Sequence, residues 1–382
     1  MNRPLDSLTQ ALLDAATKAG ADAADALAVE GSSTEIDVRN GTLEQAERSE
    51  GTDIGLRVFI GRRSAVVSSS DTKDSTIATM AERAVAMARE APEDPYAGLA
   101  DPAQLARDWD IEALEMCDPT DAPSPAELQE DACAAEAAAL AVEGIGQVQS
   151  ASAGYGRRQV HLAASNGFSG GYWRSSRSRS CVAIAGTGLE MERDYDGDSR
   201  TFQSELRGAA EIGRRAAERA LERQNPRRPK TGAYPVLFDE RIAASLVGHL
   251  IAAANGAAVA RGASWLRGAL GEDVLPKGLS LVEDPHRPRI AGSRPFDAEG
   301  LPTQARALVE DGVLTGYTLD LANARKLGME PTGNAARGTS GGPSPTPWNL
   351  ALTQGDKSRQ ELIAQMGSGL VVTSMIGATI NP

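Results

Sequence analysis

Three two-residue turn signals constrain the fold of this chain more than any other feature. Asn40-Gly41, Asn166-Gly167 and Asp311-Gly312 each separate two segments with strand-like composition. Asn, Asp and Gly tolerate the positive φ angles of a tight hairpin turn, which most other residues avoid. Each dipeptide therefore predicts a hairpin of two antiparallel strands.

Helices are expected between these hairpins. Apolar residues recur at helical spacing over residues 7–20 and 74–91, and further helices are predicted over 125–142 and 199–223. Helices combined with antiparallel strands indicate an α+β fold with several domains. We expect three units: an N-terminal helix-plus-antiparallel-sheet domain over 1–115, a middle α/β domain over 116–230, and a C-terminal β-rich domain, barrel-like or sandwich-like, over 231–382.

The charge balance argues against a nucleic-acid partner. The 382 residues include 39 Lys and Arg against 52 Asp and Glu, which gives a formal net charge of −13. Non-specific binding to nucleic acid needs a cationic surface instead. A basic stretch does run from Arg214 to Lys230, and we interpret it as a solvated helix end followed by a linker.

Cysteine usage and hydropathy predict a cytoplasmic protein. Cys117, Cys133 and Cys181 form no CxxC pair, and their odd number does not indicate a disulfide framework. The first residues contain no apolar segment typical of a signal peptide. A run of about 18 apolar residues, as a membrane span requires, is also absent, so no membrane partner is expected.

Residues 239–256 predict a helix that is poor in metal ligands. His249 is its single histidine, and the other two, His161 and His286, lie in a predicted strand and a Pro-rich loop. No His-x-x-x-His or His-x-x-His spacing occurs, whereas a catalytic zinc takes three protein ligands. We therefore predict no catalytic residue, metal ligand or cofactor in this chain, with His249 as a packed residue.

Two further segments carry polar residues that could face a ligand. Phe296–Thr303 places Asp297 and Glu299 beside Gly300, which is compatible with acid–base chemistry and also with a polar loop that enters a strand. Residues 332–349 are rich in Gly and Pro and predict a long flexible loop, a type of segment that is often functional or disordered.

Taken together, these segments resemble the TldD/PmbA family, and more closely its PmbA (TldE) branch. The order and spacing of the motifs carry the resemblance over nearly the whole chain. They comprise Arg39-Asn40-Gly41, Ser49–Val58, Ser165–Phe168, Phe296–Thr303, Asp311–Leu314, Ala324–Gly328, Thr332–Ala335 and Met366–Thr373.

The resemblance implies a role as a partner subunit. Catalytic TldD-like members carry a His-Glu-x-x-x-His zinc helix, which would fall here near Val247, Gly248, His249 and Ala252, where the glutamate and one histidine are missing. We therefore expect a non-catalytic half of a TldD/TldE metallopeptidase, with zinc in the TldD-like partner, an extended peptide as substrate, and a homodimer when the partner is absent. Candidates to face peptide or partner are His249, Asp297, Glu299, Gly300, Thr332, Gly333 and Asn334.

Two alternatives stay open. One is a stand-alone peptidase with an unrecognised site, built from His249, His161, His286 and carboxylates, or from a nucleophile such as Cys181. The other is a modulator of DNA gyrase that acts through protein contact. The resemblance also implies that the C-terminal domain is truncated at Thr379–Pro382, which would leave unpaired strand edges.

Overall fold

The computed structural model describes residues 3–377, and the expected truncation at Thr379–Pro382 lies outside these residues. The elements of the first 230 residues are α1 (Leu5–Lys18), β1 (Ala23–Arg39), β2 (Thr42–Ile60), β3 (Arg63–Ser69), α2 (Asp74–Glu90), α3 (Pro125–Leu140), β4 (Ile145–Ala164), β5 (Ser169–Ala185), β6 (Glu192–Arg200) and α4 (Ala209–Glu222). The elements that follow are β7 (Val236–Phe238), α5 (Glu240–Ala253), α6 (Gly256–Ala260), β8 (Leu281–Glu283), β9 (Arg306–Glu310), β10 (Val313–Leu314), α7 (Leu321–Leu327), β11 (Ala335–Ala336), β12 (Ser344–Pro345), β13 (Leu350–Leu352), α8 (Arg359–Met366) and β14 (Leu370–Val372).

Six long strands form one antiparallel sheet in the order β3-β2-β1-β4-β5-β6. The central strand β1 pairs with β2 through the hairpin and also with β4, so that Ala28 lies opposite both Ile54 and His161. The first and middle units of the chain therefore share one sheet. The α+β multidomain class is confirmed, while the domain boundaries after residues 115 and 230 stay predictions.

The two faces of this sheet have different coverings, because successive side chains of a strand point to opposite faces. On one face, Ala24, Ala26 and Ala28 of β1 pack under α1 and α2. The same face of β4 and β5 packs under α3 and α4 through small residues that include Ala151 and Cys181. The helices thus cover one face and leave the other for the third unit.

The third unit has its own core and docks on the opposite face of the sheet. A four-stranded antiparallel sheet in the order β10-β9-β8-β13 supplies Leu281, Leu308 and Leu314 to that core. Phe296 then packs against Leu162 and Phe168 of the large sheet and its hairpin loop. This contact covers only one end of the sheet face.

All three turn signals lie in hairpins, but only two of them form the expected two-residue turn. Asn166-Gly167 belongs instead to the four-residue loop between Ala164 and Ser169, and within this dipeptide only Gly167 has a positive φ (99°). Asn40 and Gly41 have φ angles of 54° and 70°, and Asp311 and Gly312 have 45° and 88°. Both dipeptides therefore adopt the left-handed conformation that a tight hairpin needs. The first joins β1 to β2, and the second joins β9 to β10.

Two predicted elements differ from the structure. The helix expected over 199–223 is confined to α4, because residues up to Arg200 extend β6 and pair with β5 as far as Arg177. The flexible loop expected over 332–349 contains the paired strands β11 and β12. The buried Trp348 also donates a hydrogen bond to the carbonyl of Gly333, 2.9 Å away, so both ends of the segment are held together.

Among the helices of residues 3–377, none has the length and apolar composition needed to cross a membrane.

Candidate functional site

Helix α5 lies where the resemblance implies a zinc helix. It begins after Asp239, whose side chain accepts a hydrogen bond from the N–H of Arg241 (3.2 Å). His249 is half-buried on this helix, as are its neighbours Val247 and Gly248. Within residues 3–377, no group of three or more His, Cys, Asp and Glu side chains is placed to hold a metal ion. The residues around His249 and Ala252 therefore do not fit a catalytic zinc.

The other groups proposed for a stand-alone peptidase lie apart from α5. His161 contacts the hydroxyl of Thr9 on α1 at 2.9 Å, and burial lowers its pKa. His286 contacts the hydroxyl of Thr303 at 3.0 Å. Cys181 is fully buried, and this burial raises its pKa to about 12. A thiol with such a high pKa is a poor nucleophile at neutral pH.

The Phe296–Thr303 segment folds into a buried turn around Asp297. The carboxylate of Asp297 accepts hydrogen bonds from the backbone N–H groups of Glu299 (2.8 Å), Leu301 (2.9 Å) and Ala335 (3.0 Å). Gly300 has a φ of 79°, and a Cβ at this position would lie 2.6 Å from the ring of Phe168. The segment is therefore shaped by backbone hydrogen bonds and close packing.

A cluster of charged side chains lies where the large sheet meets this turn. Asp25 contacts two guanidinium groups, with 2.6 Å to Arg57 Nη2 and 2.6 Å to Arg337 Nη2. Glu299 Oε1 lies 3.7 Å from Arg57 Nη2, and its other oxygen accepts a hydrogen bond from the N–H of Leu321 (2.8 Å). The interface between the sheet and the third unit is thus built on buried charge.

This cluster contains more carboxyl groups than arginines. Burial raises the pKa of Glu299 to about 8, although Arg57 opposes the shift, and burial also raises the pKa of Asp297 to about 6. Burial raises the pKa of Asp320, which lies close enough to add to both shifts. Glu299 therefore keeps a proton at neutral pH, which reduces the uncompensated negative charge.

Thr332, Gly333 and Asn334 hold the hairpin β11–β12 in place. The hydroxyl of Thr332 accepts from the N–H of Leu319 (2.8 Å) and donates to its carbonyl (3.1 Å). A Cβ on Gly333 would lie 2.3 Å from the carbonyl oxygen of Pro302. Asn334 is fully buried and donates to Glu283 Oε1 (2.6 Å). The structure brings these residues close to Asp297 through Ala335, and places His249 elsewhere.

An open groove runs along the uncovered part of the sheet face. It consists of two neighbouring cavities of about 320 Å³ and 460 Å³, and Val29, Asp53 and Arg158 line both. The smaller cavity ends against the third unit, where Asp297 is among its lining residues. Of the six candidates outside α5, Asp297 thus borders the groove directly.

Sequence reasoning missed the arginines of this groove. Arg158 on β4 and Arg174 on β5 are register partners, and Arg294 approaches from the third unit. One signal was present: the apolar Val160 and Leu162 alternate with the polar Gln159 and His161, and Arg158 shares the face of Val160 and Leu162. That alternation could place the arginine opposite the helices, but it could not identify its neighbours on another strand.

Comparison with known proteins identifies the family. Models named PmbA/TldA metallopeptidase domain 1, central domain and C-terminal domain match residues 24–88, 118–224 and 231–382, respectively. The chain is also 34% identical over 347 residues to Metalloprotease PmbA of Escherichia coli O157:H7, which covers 91% of this chain and 74% of that protein. The chain belongs to the PmbA/TldD metallopeptidase family. The family resemblance seen in the sequence is confirmed.

Solved structures have the same fold. A proposed modulator of DNA gyrase from Bacteroides thetaiotaomicron VPI-5482 matches with a TM-score of 0.90 and 27% identity, over 98% of this chain and 83% of that one. TldE from Thermococcus kodakarensis matches with a TM-score of 0.80 over 97% of this chain and 83% of that one. At 20% identity, the second likeness concerns the fold alone.

Proposed function

We propose that this chain is the non-catalytic, PmbA/TldE-type subunit of a TldD/TldE zinc metallopeptidase that processes peptides or unfolded polypeptides. One observation carries the proposal: the helix in the position of the family's zinc helix offers His249 without a set of ligands around it in the described part of the chain. The TldD-like partner then supplies the zinc, the water that zinc activates and the glutamate that moves the proton.

The groove indicates that this subunit binds substrate in such a complex. Its floor is a sheet face, and its two cavities follow one another across neighbouring strands. An extended peptide has the dimensions to lie along such a surface, and contacts to its backbone would tolerate many sequences. This subunit would thus hold the chain that the partner cleaves.

The surface around α5 is suited to contact another chain. Leu246 of α5 is 40% exposed and Val236 of β7 is 45% exposed. Apolar side chains of this size gain stability when a partner covers them. The heterodimer, and the homodimer in the absence of the partner, are proposed on this basis.

The test is peptide cleavage by each chain alone and by their mixture. This chain alone should be inactive, and the mixture with a TldD-like chain should cleave an unfolded polypeptide. His249→Ala in this chain should leave cleavage by the mixture unchanged. Cleavage by this chain alone that His249→Ala abolishes would overturn the proposal.

The likeness to the proposed gyrase modulator of Bacteroides thetaiotaomicron favours a second candidate function, the modulation of DNA gyrase. The basic stretch is partly neutralised, since Arg219 lies 2.6 Å from Asp196 and Arg223 lies 3.4 Å from Asp194. With a net charge of −13, an effect on gyrase would require protein contact in the cytoplasm. A supercoiling assay with added chain tests this candidate, and unchanged supercoiling rejects it.

A further inference from the structure

Three arginines of the groove lack carboxylate partners. Arg158, Arg174 and Arg294 have no Asp or Glu oxygen within 4.0 Å among the described residues, whereas Arg57 and Arg337 share Asp25. Arg158 and Arg174 lie directly opposite each other on β4 and β5. Like charges in such a cross-strand pair destabilise a sheet. An anion bound between them would remove this repulsion.

Two of the three guanidinium groups are fixed in place before any ligand binds. Arg174 donates to the backbone carbonyls of Ala291 and Ser293, and its guanidinium lies 5.2 Å from the ring centroid of Tyr172. Arg294 donates to the same two carbonyls at 3.1 Å and 2.7 Å. Carbonyl oxygens orient these groups but do not neutralise their charge. Burial, together with the nearby Arg294 and Arg158, lowers the pKa of Arg174 to about 10.

The third guanidinium is available to a ligand. Arg158 is exposed and lines both cavities, so that it stands at the point where they join. Arg294 lines the smaller cavity and Arg174 lines the larger one. The three positive charges therefore surround the junction of the groove, together with the single carboxylate of Asp53, which also lines both cavities.

An apolar compartment forms one part of the smaller cavity, beside its charged lining residues Arg294, Arg337 and Asp297. The smaller cavity, of about 320 Å³, is lined by Tyr172, Phe296 and Trp348 beside Val160 and Leu162. This volume lies at the lower end of the range typical of ligand sites, about 300–1,000 Å³. A ligand that carries a carboxylate and an apolar side chain fits this arrangement, because its carboxylate can contact the arginines while its side chain fills the apolar compartment. An inorganic anion would leave that compartment unfilled.

Two carboxylates also line the groove, and neither competes with this assignment. Asp297 already accepts three backbone N–H groups. Asp53 lies on β2 opposite Val29, with β1 between it and the strand of Arg158. From that side of the groove, its carboxylate can accept an N–H group from a peptide backbone.

We propose that Arg158, Arg174 and Arg294 bind the C-terminal carboxylate of an extended peptide, whose last, apolar side chain enters the cavity lined by Tyr172, Phe296 and Trp348. This inference rests on the proposed function and specifies its substrate class. The subunit then binds the free C-terminus of the substrate, while the partner's zinc site acts on the peptide elsewhere along its length.

Fluorescence anisotropy with a labelled unstructured peptide tests the site. The peptide ends in Phe, with a free carboxylate or a C-terminal amide, and binding is measured to the chain alone and to its complex with the partner. Charge-assisted hydrogen bonds contribute enough that amidation should weaken binding by about tenfold or more. Equal binding of the two peptides by both chain and complex overturns the inference.

Arg158→Gln is the test variant and Arg193→Gln its matched control. Arg193 is an exposed arginine on β6 of the same sheet, lines neither cavity, and donates a hydrogen bond to Gln149 Oε1 (2.9 Å). Arg158→Gln should remove the preference for the free carboxylate and, since it relieves repulsion, should not lower the melting temperature. Arg193→Gln should keep the preference. Loss of the preference in both variants, or in neither, contradicts the assignment.

Inorganic phosphate distinguishes a peptide site from a general anion site. At equal concentration, it should displace the free-carboxylate peptide at least about tenfold less effectively than the unlabelled peptide does, because it cannot use the apolar cavity. Equal displacement overturns the peptide assignment. These results can be told apart from a failure of the proposed function. If the complex prefers the free carboxylate but does not cleave peptide, the proposed function is wrong and the carboxylate site stands. If the complex cleaves peptide without that preference, the proposed function stands and the carboxylate site is wrong.

Discussion

Glu299 Oε1 lies 3.7 Å from Arg57 Nη2, so that a buried contact between a carboxyl and a guanidinium group connects the third unit to the large sheet. Burial raises the pKa of Glu299 to about 8, while an unfolded glutamic acid titrates near 4.5. The folded protein therefore holds a proton on Glu299 between these two values, and the unfolded chain does not. Stability contributed by this proton is present at low pH and is lost as the pH rises from about 4.5 to about 8.

Glu299→Gln should remove that pH dependence. A glutamine stays neutral, so the free energy of unfolding should fall less between pH 5 and pH 8.5 than in the unchanged chain, by on the order of 3 kcal/mol. Urea denaturation at several pH values measures the free energy of unfolding of each variant. The exposed Glu310 of β9 supplies the control Glu310→Gln. Parallel curves for the unchanged chain and Glu299→Gln would show that Glu299 is not the proton carrier.

Asp25→Asn should destabilise the protein strongly. Asp25 is buried and lies 2.6 Å from both Arg57 and Arg337, so its neutralisation leaves two guanidinium groups without a full counter-charge. Removal of one partner from a buried ion pair costs about 3–5 kcal/mol. Glu50→Gln, which affects the exposed pair with Arg48, should cost less than about 1 kcal/mol. Similar losses for the two variants in chemical denaturation would disprove a special role for Asp25.

Gly300→Ala should separate packing from backbone strain. Gly300 has a φ of 79°, and its new methyl group would collide with Phe168. Gly268 has a similar φ of 83° but open space around it, so Gly268→Ala reports strain alone. We expect a loss of at least about 1 kcal/mol more for Gly300→Ala, as overpacking typically causes. Equal melting temperatures of the two variants would mean that the contact with Phe168 relaxes without cost.

Cys181 should be inert in the folded protein. Burial raises its pKa to about 12, so almost no thiolate forms at pH 8. Iodoacetamide should label Cys181 after denaturation and leave it unlabelled in the native state, as read by peptide mass spectrometry. Cys181→Ala should also leave cleavage by the two-chain complex unchanged. Rapid labelling of the native protein, or loss of cleavage in this variant, would contradict this prediction and favour Cys181 as a nucleophile.

The sequence predicts this fold best where structure is local. Asn40 and Gly41 set their own φ angles, so the first hairpin follows from two residues. The pairing of β1 with β4 joins residues that are far apart in sequence, such as Ala28 and His161, and no local pattern specifies it. The helix expected over 199–223 was too long for the same reason, because pairing with β5 extends β6 to Arg200.

The site is predictable to a similar extent. The Phe296–Thr303 motif pointed to Asp297 and Glu299, and the chain does place both at the junction of its parts. Their protonation depends on Arg57 and on burial, which arise only after the sheet and the third unit have docked. The pairing of Arg158 with Arg174 is likewise a property of strand register.

The zinc content of this chain tests the central claim most directly. The purified chain is dialysed against zinc at neutral pH, freed of excess metal and measured by elemental analysis, alone and in complex with a TldD-like chain. We expect far less than one zinc per chain when it is alone and one per pair in the complex. One zinc per chain in the isolated protein, lost on His249→Ala, would contradict the role of a non-catalytic subunit.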